Sequence, residues 1–99
     1  MKYKNPLFRR SKNTFPLEVL CGHCKTPVLI YEKGGKGNLI KLQEHRIIES
    51  EIDLNKHQGH LHCPNCREDL ANRGVYNGRL TFFIIRGKVN SRRLDNYPF

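Results

Sequence analysis

Apolar and polar positions alternate with period two along much of the chain, which predicts strands in preference to helices. Leu17 to Leu20 reads as a short strand, Val28 to Tyr31 as its return, and Leu39 to Leu42 as a third strand. Between the last two lies Lys33-Gly34-Gly35-Lys36-Gly37-Asn38, a composition that predicts a hairpin tip. Over 47–54 the alternation puts Ile48, Ser50, Ile52 and Leu54 on one face and Ile47, Glu49, Glu51 and Asp53 on the other. Glu68 to Gly74 fits a single helical turn closed by its glycine. Asn77-Gly78 is the strongest turn signal in the chain and suits a type I′ hairpin. It leads into Leu80–Arg86, apolar on both faces, which predicts the central strand of a sheet. Aromatic pairs on strands also occur in RNA-binding sheets. Phe82 and Phe83 sit in an apolar run, however, and core packing explains them better.

The two ends read differently from this centre. Residues 1–16 carry Lys2, Lys4, Arg9, Arg10 and Lys12 with no acid, and Pro6 and Pro16 disfavour helix. They predict a basic extended arm with Tyr3, Phe8 and Phe15 among the charges. Residues 17–91 form the folded β domain, and residues 92–99, with Arg92 and Arg93, a basic flexible tail. The net charge is +9, from 18 Lys and Arg against 9 Asp and Glu, and residues 17–66 are balanced, so the excess sits at the ends. Basic ends around a neutral centre suit a polyanionic partner, nucleic acid above all. With 99 residues and no Trp, a single small domain is expected to need a staple beyond its core.

All four cysteines fall in two pairs, Cys21-Gly22-His23-Cys24 and Cys63-Pro64-Asn65-Cys66. Each CxxC turn lets two thiolates converge on one cation, and two such turns supply the four sulfurs of a closed tetrahedral zinc site. Iron would use the same ligands. Two disulfides would suit an exported protein, but the N-terminus Met1-Lys2-Tyr3-Lys4-Asn5-Pro6 lacks the apolar stretch of a signal peptide. The run Phe82–Ile85 is far too short to span a bilayer. A soluble protein of the cytoplasm, where thiols stay reduced, is therefore expected. His57, His60 and His62 precede the second pair and invite a second metal. With no evident fourth ligand, hydrogen bonding near the thiolates or to phosphate is the simpler expectation, and His23 is read likewise.

Over 17–70 the two knuckles resemble the zinc ribbon superfamily, which implies a small mostly-β fold of antiparallel hairpins clamped by one zinc ion on Cys21, Cys24, Cys63 and Cys66. The leading functional expectation is non-enzymatic binding of nucleic acid, with structured RNA favoured because no recognition helix for a DNA groove is evident. Ribosome-like or transcription-associated settings are implied by analogy with small basic zinc ribbons. Phosphate contacts are assigned to Lys2, Lys4, Arg9, Arg10, Lys12, Lys33, Lys36, Arg92 and Arg93. The lysines of the glycine-rich tip could form an anion nest, but the spacing of a Walker loop is absent. A protein-binding adaptor is the alternative. A degenerate HNH-type nuclease is a third reading, suggested by Glu44-His45-Arg46 and Asn55; in that pattern a histidine follows the second pair, where this chain has Arg67.

Overall fold

In the computed structural model, residues 1–54 and 59–98 are described, and they form nine strands and one 3₁₀ turn with no α-helix among them. The strands are β1 (Tyr3–Lys4), β2 (Thr14–Cys21), β3 (Pro27–Gly34), β4 (Lys41–Gln43), β5 (Ile47–Ser50), β6 (Leu61–His62), β7 (Asp69–Tyr76), β8 (Arg79–Ile84) and β9 (Val89–Arg93). They make two antiparallel sheets, ordered β1-β5-β3-β2-β9 and β4-β8-β7-β6. Alternation in β2 turns Leu17, Val19 and Cys21 inward, and their partners on β3 turn Leu29 and Tyr31 to the same side. Opposite them the second sheet contributes Leu42, Leu61, Ala71 and Phe82, all essentially inaccessible to water. One shared core results. The Gln43 N–H donates to the Tyr31 hydroxyl across the two layers at 3.1 Å.

The predicted hairpin of β2 and β3 is present, with the first cysteine pair at its turn. The Asn77-Gly78 turn is also as expected: both residues have left-handed backbones (φ 52° and 74°), which type I′ requires. Four local expectations are corrected. Residues 33–42 are not a hairpin, because both edges of β3 are already taken by β2 and β5. The glycine-rich stretch instead crosses to the second sheet, where Leu42 pairs with Phe82 in the core. The strand over 47–54 stops at Ser50, and a bulge at Ile30/Tyr31 turns Ile47 into the core opposite Tyr31. Residues 69–74 are strand, not part of a helical turn, because β6 and β8 both pair with β7. Finally, β8 is interior to its sheet but not buried on both faces throughout: Phe82 and Thr81 are 1% and 0% exposed, whereas Phe83, on the side of Thr81, is 37% exposed.

The ends are laid against the first sheet. β1 pairs with β5, the Asn5 amide group donates to Glu44 O and Ile47 O (2.7 and 2.8 Å), and the Ser11 N–H donates to the buried Glu32 carboxylate. Arg92 and Arg93, expected in the tail, complete β9 on the free edge of β2. Glu49 gathers both termini, taking the N-terminal ammonium at 2.9 Å and the Tyr97 hydroxyl. Burial opposes its ionisation, but Tyr97, the terminal ammonium and Lys4 outweigh that and lower its pKa.

Two outcomes are expected. A carboxyl whose folded pKa is depressed contributes stability above its unfolded value, near 4.3, and loses it as pH falls through the folded value. Tyr97 ring shifts in an NMR titration should therefore hold through mild acid and move only below about pH 4, a step that Glu49→Gln removes. Phe82→Ala should cost about 3–5 kcal/mol in urea unfolding, by lost burial and a cavity between the sheets.

Candidate metal centre

The two cysteine pairs fold into the same local structure. In the first, the Cys21 N–H donates to Thr26 O (2.9 Å) and the Lys25 N–H to Cys21 O (2.9 Å). In the second, Cys63 N–H donates to Glu68 O (2.9 Å) and Arg67 N–H to Cys63 O (3.0 Å). Lys25 and Arg67 both take left-handed backbones, φ 66° and 68°. The basic residue after each pair thus closes a tight turn that wraps the sulfurs, at the backbone cost that such a conformation carries for a residue other than glycine. At Arg67, where the nuclease pattern has a histidine, the chain spends its position on this turn.

The four sulfurs converge. Their Sγ atoms all lie within 4.8 Å of one another, with Cys21–Cys66 at 3.6 Å and Cys24–Cys63 at 3.5 Å. No two are bonded. Among the described residues this is the only cluster of three or more Cys, His, Asp or Glu side chains able to share an ion. The first cysteine of each pair is fully buried and the second half-buried, so the site is closed inward and narrowly open at its rim. Such a set can hold one metal ion.

The surroundings divide the sulfurs electrostatically. The Thr26 hydroxyl, 3.1 Å away, and the Asn65 side chain stabilise the Cys24 thiolate and bring its pKa down to about 5. At Cys66 the neighbouring Glu68 backbone favours the thiolate, but burial and the three other sulfurs prevail and push it up to about 12. Four like charges cannot share this volume without a cation. The N–H groups of Asn65 and Cys66 point at Cys63 Sγ, at 3.4 and 3.5 Å.

A third segment locks the two knuckles together, and it gave no signal in the sequence. The Gly22 N–H donates to Lys88 O at 2.8 Å, and Lys88 Nζ meets Glu68 Oε1 at 2.7 Å. A Cβ on Gly22 would stand 2.9 Å from Lys88 O, so this approach needs glycine. The histidines are used elsewhere. His60 Nδ1 accepts from the Arg73 N–H, His62 pairs with Asp69 at 2.7 Å and His23 is exposed; His57 lies outside the described residues.

The predicted phosphate contacts are not gathered into one patch. Lys2 and Lys4 lie at the β1 edge of the first sheet and Arg92 and Arg93 at its β9 edge. Arg92 is engaged by Glu18 at 2.7 Å, while Arg93 faces Asp95 and stacks 4.4 Å from the Phe15 ring centre. Arg10 borders the same groove as Phe15 and Arg93, with exposed Lys12 next to it. Arg9 donates to the Pro6 and Phe8 carbonyls, Lys33 to Gly34 O, and Lys36 is exposed on the inter-sheet crossing. Glu44–Arg46 forms the 3₁₀ turn, and Asn55 lies outside the described residues. Among the described residues no helix is long and apolar enough to cross a membrane.

No protein-family model matches the chain, and comparisons with curated proteins and with solved structures find no significant match.

Metal uptake is expected to release protons at neutral pH, because Cys66 holds its proton until a cation displaces it, and to fail as pH drops toward 5, where Cys24 is protonated too. Calorimetry in buffers of different ionisation enthalpy measures the release. Gly22→Ala should lower stability by about 1–3 kcal/mol by prising Lys88 from the first knuckle, read as a shifted denaturant midpoint.

Proposed function

We propose that the four-cysteine centre holds one structural zinc ion and that the protein is a non-enzymatic zinc ribbon that binds nucleic acid, with structured RNA favoured. The spacing of the sulfurs supports the metal reading. Tetrahedral zinc with Zn–S bonds near 2.3 Å separates its sulfurs by roughly 3.8 Å, close to the 3.5 and 3.6 Å of two pairs here. All four ligand positions are filled by protein, which suits structure and leaves no open site for a substrate. Zinc would reconcile sulfurs that otherwise resist joint ionisation, and its binding energy would be expressed as folding energy.

The observation that carries the nucleic-acid reading is charge. The chain has a net +9, and zinc on four thiolates would leave about +7. Exposed Lys2, Lys4, Arg10, Lys12 and Lys36 are spread over several faces, an arrangement suited to phosphates of a folded RNA that wraps the domain. Such binding is scaffold plus electrostatics, in the setting of a larger ribonucleoprotein or transcription assembly in the cytoplasm.

The test is crosslinking of the tagged protein to nucleic acid in its native cells, followed by binding of the recovered RNA in vitro. Affinity is expected to fall steeply with salt, and changing Lys33 and Lys36, or Arg9 and Arg10, to Ala should flatten the log–log slope by up to about two. Recovery of a stoichiometric protein, with no crosslinked nucleic acid and no salt dependence, would replace this reading with the adaptor.

A further inference from the structure

The outer face of the second sheet has a surface that the basic-arm reading does not use. In an antiparallel ladder, residues directly opposite one another share a face. The register pairs Lys41 with Phe83 and Phe83 with Asn72, Gly74 with Thr81, and Tyr76 with Arg79. Phe82 and Leu42 turn to the core; on the other face Phe83, Asn72, Tyr76 and Arg79 are exposed, while Thr81 between them is buried. None of these outward positions carries a carboxylate. Phe83 and Tyr76 are 37% and 39% exposed, more than core packing would leave to rings of this size.

Two contacts prepare the rings. A Cβ on Gly74 would lie 2.8 Å from Phe83 Cε2, so the absent side chain is what lets the Phe83 ring settle over the neighbouring strand. Lys41 Nζ sits 4.5 Å from the centre of the Tyr76 ring, which joins the cation to the aromatic across the sheet. Lys41 also borders a cleft of about 300 Å³ between the sheets, together with Lys33, Gln43, Arg46 and the carboxylate of Glu32. Partly exposed rings with cations beside them match the chemistry of unpaired nucleobases on a phosphate backbone.

We propose that this face is a stacking platform for single-stranded nucleic acid, with bases on Phe83 and Tyr76 and phosphates at Lys41 and Arg79. The inference rests on the nucleic-acid reading above and narrows it to unpaired nucleotides and to one surface. Duplex offers no exposed ring faces for such stacking. Single strands and loops do.

The test uses the metal-loaded full chain and fluorescence anisotropy with a labelled oligouridine of roughly 12 nucleotides, against a fully paired hairpin. Phe83→Ala and Tyr76→Ala are each expected to weaken oligouridine binding roughly 5- to 150-fold, while leaving the salt slope unchanged. Lys41→Gln should lower that slope by about one. Phe83→Leu, which keeps an apolar side chain, should be as defective as Phe83→Ala. If a Phe83 variant fails to keep its metal or its fold, Tyr76→Ala and photocrosslinking of 5-bromouridine RNA, with adducts mapped to Phe83 or Tyr76, decide the matter. Full affinity in both ring variants, with loss only in the Arg9 and Arg10 or Lys33 and Lys36 variants, overturns the platform and leaves RNA binding by the ends. Absence of binding to any oligonucleotide overturns both.

Discussion

The rest of the structure depends on the convergence of four sulfurs from two copies of one turn. Cys21 ends β2 in the first sheet, and Cys63 lies between β6 and β7 of the second. A cation shared by the pairs would therefore tie the two layers together. The core itself is short of large side chains: Phe82, Leu29, Leu42 and Ile47 are the bulkiest residues fully removed from water near its centre. A sandwich with so little apolar volume is marginal without a cross-link, and the cysteine centre is the one available. The same geometry makes the site costly without its ion, since Cys24 favours the thiolate while Cys66 resists it. An ion bound here would therefore express its binding energy as folding energy.

A second constraint operates at the opposite face of the first sheet. β3 is buried along Val28–Glu32, although one side of a two-layer sheet ordinarily faces water. The termini cover it: the arm at Asn5 and Ser11, the tail through Tyr97, both meeting at or near Glu49 and Glu32. The basic segments are therefore structural as well as cationic. Their charges remain outside while their backbones and aromatic residues close the sheet, as the stacked Phe15 and Arg93 illustrate.

What was legible in the sequence was local or ligand-like. The CxxC spacing, the Asn77-Gly78 turn and the hairpin around the first knuckle are each set within a few residues, and all are present. What was not legible depended on competition between distant strands. Leu39–Leu42 looks like a return strand for β3 until β5 is seen to occupy that edge. Asp69–Tyr76 contains helix-compatible residues and a glycine where a helix could end, yet two neighbouring strands claim its backbone groups. Gly22 and Lys88 are separated by most of the chain, and nothing in either residue announces their 2.8 Å hydrogen bond.

Phe82 and Phe83 show how far such ambiguity reaches into function. Adjacent in sequence and chemically identical, they differ only in which side of β8 they occupy, and their exposures are 1% and 37%. Core packing accounts for the first completely. It does not account for the second, whose ring lies over Gly74 on a strand position paired with Lys41. The apolar run Leu80–Ile85 therefore encodes two properties at once: Phe82 holds the second sheet against the core, and Phe83 presents a ring on the surface. If the ends supply the attraction for a polyanion, the sheet is where the fold can supply discrimination.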